Sequence, residues 1–184
     1  MSVEMGLIDK DIERYISQEG KVKLFGFKYL LLFSNKALIP IFYFRLGKKI
    51  YAKEFTRIPL VIRVFLKSFY LLFKPLVMYG CKINIHEDSR IFIDEGLYLS
   101  NKGGILIGAK SLGKNCTIHE NVTIGMDRNG KLPTLGDNVT IHRNSLIYGN
   151  IKIGDNAVIM EDTVLNRSIP PNIRVSGNPA KLVK

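Results

Sequence analysis

The chain has 184 residues and a formal net charge of +11, with 46% apolar and 23% charged residues. This composition is that of a globular protein with a buried core, and it excludes an intrinsically disordered chain. Residues 1–82 hold 15 Lys/Arg against 6 Asp/Glu, whereas residues 83–184 hold 12 against 10. The basic character therefore belongs to the N-terminal segment, and the length suits one domain with a sizeable appendage.

The first ten residues contain no basic region followed by an apolar run. The sequence therefore predicts no signal peptide and a cytoplasmic protein. Cys81 and Cys116 are too few and too far apart in sequence to form a disulfide framework. We expect both to be inert, structural thiols.

Residues 1–80 form the first predicted unit, a basic and apolar helical segment. Its first helix places four large apolar residues on one face: Ile8, Ile12, Tyr15 and Ile16. Three apolar stretches follow it: Leu24–Phe33, Ala37–Leu46 and Pro59–Met78. The last stretch is long enough to span a bilayer, but it contains Arg63, Lys67 and Lys74, and three cations argue against a span.

Two roles remain open for residues 1–80. A helix with apolar side chains on one side and Lys/Arg on the other predicts contact with an anionic membrane surface, at the inner face of the membrane. A helical cap that packs on the following unit or on neighbouring subunits is the alternative. Nucleic acid is not an expected partner, because no binding motif accompanies the positive charge.

Residues 81–184 form the second predicted unit, in which aliphatic residues recur at every sixth position: Leu135, Ile141, Ile147, Ile153, Ile159 and Leu165. Small or β-branched residues follow most of them by four positions: Val139, Ser145, Ile151, Ala157 and Thr163. A helix repeats at about 3.6 residues and a strand at about 2, so neither fits a period of six. The period predicts a left-handed parallel β-helix of hexapeptide repeats, and it disfavours a β-sandwich. The expected fold class is mainly β with an α-helical N-terminal segment.

The period continues upstream with two phase slips, one between Ile107 and Leu112 and one between Ile124 and Leu135. The second slip contains residues 126–133, where an Asn-Gly pair and a Pro mark a turn. We expect this segment to be a loop that leaves the β-helix, and such excursions from solenoids often carry function.

Five segments of the second unit resemble a known family: Ile83–Asp88, Gly103–Gly108, Asn115–Gly125, Leu146–Gly154 and Ile169–Val183. They resemble the serine acetyltransferase-like branch of the hexapeptide transferases, especially the O-acetyltransferases of capsule, exopolysaccharide and O-antigen clusters. The tail is the most specific part, because a Pro-Pro followed by Gly-x-Pro-Ala-Lys closes many members. The resemblance implies a homotrimer, acetyl-CoA as acyl donor, no metal, and direct acetyl transfer with a histidine as general base.

The sequence departs from this family where the base is expected. The family's base histidine corresponds to Asn101, and the aspartate that supports it corresponds to Asn84. The family's loop histidine corresponds to Leu132, or to Thr134 if the gap is placed otherwise. Because an asparagine cannot take a proton at neutral pH, another group has to serve as the base.

Three histidines are available for this role, and imidazole is suitable because it titrates near neutral pH. We rank His119 first and His142 second, since both return to the same wall of the β-helix once the loop is set aside. His86 ranks third, as a corner residue. The resemblance also implies contacts to CoA from the late coils and the tail: Ser145, Ala157, Ser176, Gly177 and Lys181.

We therefore expect an O-acetyltransferase that acts on a sugar of a surface polysaccharide or of its lipid-linked precursor. A catalytically inactive hexapeptide-repeat partner protein is the first alternative. Serine acetyltransferase and a zinc protein similar to γ-carbonic anhydrase rank below it. Zinc is disfavoured because spacings of 33 and 23 residues between the histidines give no close pair of ligands.

Overall fold

The computed structural model describes residues 2–19, 35–52, 59–86 and 91–183. Within these ranges the N-terminal part contains three helices: α1 (Ser2–Glu19), α2 (Leu38–Tyr51) and α3 (Leu60–Cys81). The predicted apolar stretch Leu24–Phe33 lies outside the described residues. None of the helices in the described ranges has the length and apolar character needed to cross a membrane.

The described part of the second unit contains fifteen short strands: β1 (Ile83–Ile85), β2 (Phe92–Ile93), β3 (Tyr98–Leu99), β4 (Ile105–Ile107), β5 (Ser111–Leu112), β6 (Thr117–Ile118), β7 (Thr123–Gly125), β8 (Thr134–Leu135), β9 (Thr140–Ile141), β10 (Leu146–Tyr148), β11 (Lys152–Ile153), β12 (Val158–Ile159), β13 (Val164–Leu165), β14 (Arg174–Ser176) and β15 (Lys181–Leu182). They form three sheets: sheet A (β1-β4-β7-β10-β13), sheet B (β2-β5-β8-β11) and sheet C (β3-β6-β9-β12-β14-β15). Consecutive strands lie in different sheets, so the chain winds through about five coils. The predicted β-helix of hexapeptide repeats is confirmed.

The core of the β-helix is the aliphatic stack that the repeat predicts. All six residues of the run from Leu135 to Leu165 are at most 3% exposed. Parallel pairing stacks them directly, since Ile141 pairs with Ile118 below it and with Ile159 above it. Full burial of one such side chain contributes about 1.5–3 kcal/mol. The stack thus fixes the register of every coil.

Asparagine, and at one position aspartate, occupies corners of the β-helix that have a left-handed backbone. Seven corner residues of the β-helix have φ between 55° and 61°: Asn115, Asn121, Asn138, Asn144, Asn156, Asp162 and Asn172. Their side chains form hydrogen-bonded ladders along the axis; the Asn138 amide donates to Asn156 (3.1 Å), and Asn156 donates to Asn172 (2.9 Å). Asparagine tolerates this backbone better than most residues.

A buried ion pair joins the helices to the first coil. Arg45 of α2 is 4% exposed, and its Nε lies 3.0 Å from Oδ2 of Asp11 in α1. The same guanidinium donates to the carbonyls of Ile93 (2.6 Å) and Asp94 (2.7 Å). Asp11 in turn accepts the N–H of Leu97 (2.9 Å). Burial raises the pKa of the Asp11 carboxyl, and the Arg45 charge opposes that rise.

The predicted apolar face of α1 also packs on the β-helix. Ile12 is fully buried and Tyr15 is 2% exposed, with Ile8 and Ile16 packed beside them. The Tyr15 hydroxyl donates to the carbonyl of Leu99 at the end of β3. The α1 and α2 helices therefore cover the first coil, as the cap interpretation of residues 1–80 expects.

Candidate active site

One corner of the β-helix brings the two leading histidines together. His119 follows β6 and His142 follows β9, so both stand directly after strands of sheet C. Their rings are stacked, with centroids 5.0 Å apart and planes 6° apart. The His119 N–H donates to the carbonyl of Ile141 (2.9 Å), and this pairing sets the two residues in adjacent coils.

The stacked pair belongs to a longer column, in which each coil contributes the residue that follows its sheet C strand or ends it: Ser100, His119, His142, Met160 and Ser176. Ser100 and Met160 are not among the site residues predicted from the sequence. A signal for them exists, because each stands one position after a buried aliphatic residue of sheet C. The column runs parallel to the axis and carries hydroxyl, imidazole and thioether groups on one edge.

Burial and the neighbouring ring keep His119 neutral. Burial is the largest cause that lowers the pKa of His119, and the His142 imidazole lowers it further. The carboxylate of Glu120 opposes these effects. A neutral imidazole at neutral pH has a free lone pair, which a general base requires.

Glu120 does not bond to the histidines. Its carboxylate accepts the Ser100 hydroxyl (3.0 Å) and the Lys102 ammonium (3.3 Å). The hydrogen bond from its own backbone N–H is the largest cause of the lowered pKa of Glu120, and the bonds from Ser100 and Lys102 lower this pKa further. Glu120 therefore ties the turn after β3 to the coil above it.

Asn101 lies in that turn and is exposed. Asn84 stands in β1, where it pairs with Leu106 of β4, and its side chain lines a cleft on sheet A. The turn connects the two places, since Gly104 lines the cleft and the Gly103 N–H donates to the Ser100 carbonyl (3.4 Å). Of the two residues predicted to correspond to the family's base and its supporting aspartate, Asn101 thus lies in this turn and Asn84 lies in the cleft that the turn borders.

The residues expected to contact CoA fall in two groups. Ser176, Gly177 and Lys181 lie together at the last coil, where Ser176 pairs with Lys181 across β14 and β15. Ser145 and Ala157 have interior side chains, 1% and 0% exposed, and they stand at two different corners. Both residues are buried as a whole, backbone included, and their carbonyls accept N–H groups of Thr123 and Thr140 from the neighbouring coil.

Residues 126–133 connect β7 to β8, where the second phase slip predicts a loop. Asp127 organises this loop, because its carboxylate accepts the N–H groups of Asn129 (2.8 Å) and Lys131 (2.9 Å). The loop leaves the corner between sheets A and B, whereas the histidine column follows sheet C. Within this chain the loop and the column therefore lie at different corners.

His86 follows β1, at the corner after sheet A, and so stands apart from the other two histidines. In the described ranges no three or more His, Cys, Asp or Glu residues are grouped so that they could hold a metal. Both cysteines are buried and neither is in a disulfide bond. Burial raises the pKa of the Cys116 thiol to about 11, which disfavours the reactive thiolate.

Part of this chain matches a known family of repeat proteins. The family model described as bacterial transferase hexapeptide (six repeats) matches residues 133–167, which run from the end of the loop to the end of β13 and beyond. The repeat and the three sheets, which are parallel apart from the β14–β15 pair, together define a hexapeptide-repeat β-helix.

The curated relatives that this chain resembles are serine acetyltransferases. Serine acetyltransferases from Staphylococcus aureus are 37% identical over 110 residues, covering 55% of this chain and 49% of the relative. A Staphylococcus epidermidis serine acetyltransferase is 38% identical with the same coverage. The chain spans about half the length of the curated relatives it matches.

Solved structures agree with the fold over nearly the whole chain. Serine acetyltransferase from Neisseria gonorrhoeae is 25% identical, with a TM-score of 0.76 over 100% of this chain and 66% of that one. A serine acetyltransferase in complex with CoA is 22% identical, with a TM-score of 0.76 over 98% of this chain and 69% of that one.

Proposed function

We propose that this chain is an acetyl-CoA-dependent O-acetyltransferase that works as a homotrimer. The observation that supports it best is the identity of 37% over 110 residues with curated serine acetyltransferases. The solved relative that binds CoA has the same fold. The column of Ser100, His119 and His142 adds hydroxyl and imidazole groups on one edge, the chemistry that acyl transfer between oxygen and sulfur needs.

In this proposal His119 is the general base. The acceptor hydroxyl gives its proton to the His119 imidazole while its oxygen bonds to the thioester carbonyl carbon. The carbon–sulfur bond then breaks, and the imidazolium returns the proton to the departing thiolate of CoA. His142 supports this role by keeping the pKa of His119 low. Asn101, beside the column, supplies an amide that can hydrogen-bond the acceptor.

Acetyl-CoA is proposed to lie along the column, with its thioester at the histidines and its nucleotide end at the last coil. Ser176 belongs to the column and is followed by Gly177, with Lys181 paired across from it. A glycine lets a ligand approach the backbone, and a lysine there suits the phosphates of CoA.

For the acceptor, we propose a hydroxyl of a sugar from a surface polysaccharide or its lipid-linked precursor. The support is the replacement of the family's base and its partner by Asn101 and Asn84, together with a basic, apolar helical segment. Serine is the second candidate, and the names of the curated relatives favour it. The protein is proposed to work in the cytoplasm, at the inner face of the membrane.

The test is thiol release from acetyl-CoA with a panel of sugars and with serine. We expect turnover with a sugar, and at least a hundredfold loss in His119→Ala, since a general base contributes about 10²–10⁴-fold. His86→Ala is the matched control, because His86 lies at another corner. Full activity of His119→Ala would remove His119 from the mechanism. No thioester turnover with any acceptor would favour the inactive partner protein, and turnover with serine alone would favour the second candidate.

A further inference from the structure

A cleft opens between the C-terminal half of α3 and the first strands of sheet A. Its volume is about 460 Å³. Its floor is formed by β1 and β4 with the turn before β4, and its wall by the last turns of α3. The lining residues are Lys74, Pro75, Met78, Tyr79, Lys82, Ile83, Asn84, Gly104, Ile105 and Leu106.

The charge of this lining is entirely positive. Lys74 and Lys82 are its ionisable cations, and none of the lining residues given above is acidic. The Tyr79 hydroxyl and the Asn84 amide add hydrogen-bonding groups. Two ammonium groups beside neutral donors are suited to a phosphate, which lysine binds as a point charge.

One side of the cleft continues into an apolar surface. Tyr79, which lines the cleft, is 84% exposed, and neighbouring Leu76 is 68% exposed. The outer face of α3 carries many more exposed large apolar residues: Leu60, Val61, Ile62, Val64, Phe65, Phe69, Leu71, Leu72 and Phe73. The cations of α3 (Arg63, Lys67 and Lys74) are half-buried on its opposite side. An exposed apolar area of this extent marks an interaction surface.

We propose that the cleft binds a phosphate group that is attached to a hydrocarbon chain. Lys74 and Lys82 hold the phosphate, and the hydrocarbon lies along Met78, Tyr79 and the outer face of α3. The two halves of such a ligand use different parts of this surface, because the cations lie in the cleft, whereas the apolar lining of the cleft continues onto the outer face of α3.

This proposal extends the proposed function by naming a class of ligand. It rests on the proposed function only where the bound ligand is taken to be the acetyl acceptor. The turn from Ser100 to Gly104 separates the cleft from the histidine column, and Gly104 belongs to both the turn and the cleft lining. In this proposal, a sugar attached to the bound phosphate extends across this turn towards His119. Phosphate on a hydrocarbon chain occurs in lipid-linked sugars and in membrane phospholipids.

The experiment titrates the full chain, without acetyl-CoA, with geranyl phosphate, geraniol and inorganic phosphate by calorimetry. We expect geranyl phosphate to bind more tightly than either fragment. Lys74→Gln/Lys82→Gln should weaken it about 25-fold, because each lysine beside an anionic lipid contributes roughly a factor of five. Lys110→Gln/Lys152→Gln, which removes one exposed lysine directly before β5 and another in β11, is the matched control and should bind normally. Lys74→Arg/Lys82→Arg should retain binding, since it keeps both charges.

Equal binding by the wild type and the Gln double variant would overturn the proposal, and so would geraniol binding as tightly as geranyl phosphate. Flotation with phosphatidylcholine vesicles, with and without phosphatidylglycerol, distinguishes the two sources of ligand. Lysine-dependent binding to anionic vesicles supports a phospholipid, whereas binding of geranyl phosphate without flotation supports a lipid-linked sugar. Because the titration needs no acyl donor, it measures ligand binding to the cleft independently of acetyl transfer. Absence of one therefore does not imply absence of the other.

Discussion

The imidazole rings of His119 and His142 lie parallel, with centroids 5.0 Å apart, although the two residues are 23 positions apart in the sequence. The six-residue period and the loop between the two coils produce this contact. Because the His142 imidazole lies against the His119 ring, it lowers the pKa of His119, after burial, which is the largest cause.

Replacement of His142 should raise the pKa of His119. In His142→Gln the second cause of the lowered pKa is absent, while burial, the largest cause, remains. We expect the pKa of His119 to move towards 6.5 without reaching it. NMR titration of the His119 imidazole measures the change. His86→Gln should leave the pKa of His119 where it is, and an unchanged pKa in His142→Gln would show that the stacked ring has no electrostatic effect.

The lowered pKa of His119 also makes folding stability depend on pH. Below its ordinary value of 6.5, the unfolded chain takes up a proton at this residue before the folded chain does. The free energy of unfolding should therefore fall as the pH drops from 6.5 through the folded-state pKa. Urea unfolding at a series of pH values, at fixed protein concentration, measures this. His119→Gln should show a shallower decline over that window, and an equal decline in both proteins would assign the effect to other groups.

The sequence predicts the coils more completely than the surface that they support. Repeat positions such as Ile141 and Ile159 are specified by a local period, so stacking and register follow directly from spacing. The turn at Ser100 and the cleft at Lys82 depend instead on how α3 packs across β1. The six-residue period does not encode that packing. The hydrogen bond between Glu120 and Ser100 joins two coils, so it too cannot be predicted from residues that are neighbours in the sequence.

Removal of Arg45 should destabilise the protein strongly. Arg45→Met leaves the Asp11 carboxylate buried without its partner, and it leaves the carbonyls of Ile93 and Asp94 without their donor. Loss of one partner of a buried ion pair costs about 3–5 kcal/mol. Urea unfolding at constant protein concentration measures it. Asp11→Asn/Arg45→Met should lose less than Arg45→Met alone, and equal losses would mean that the carboxylate charge is not the cause.

The thiol of Cys116 should be inert in the folded protein. Its pKa of about 11 leaves little thiolate at pH 8, and the side chain is fully buried. In a Cys81→Ser variant, iodoacetamide should modify Cys116 slowly under native conditions and rapidly in guanidinium chloride. Mass spectrometry of the time course follows the reaction. Rapid, complete modification of the folded protein would require an opening of this corner that the packing does not show.

Gly154 packs closely against the backbone of the Pro170–Pro171 segment, and Gly125 serves as a control without such a contact. A Cβ at Gly154 would meet the backbone nitrogen of Pro171 and lie 2.6 Å from the carbonyl carbon of Pro170, where no flexible side chain can yield. Gly154→Ala should therefore lower the free energy of unfolding by about 1–3 kcal/mol, the usual cost of overpacking. A Cβ at Gly125 meets nothing within 4 Å, so Gly125→Ala should change stability by less than about 0.5 kcal/mol. Thermal and urea unfolding of both variants measure the difference; equal stability of the two would mean that the Pro170–Pro171 segment moves away from the β-helix without cost.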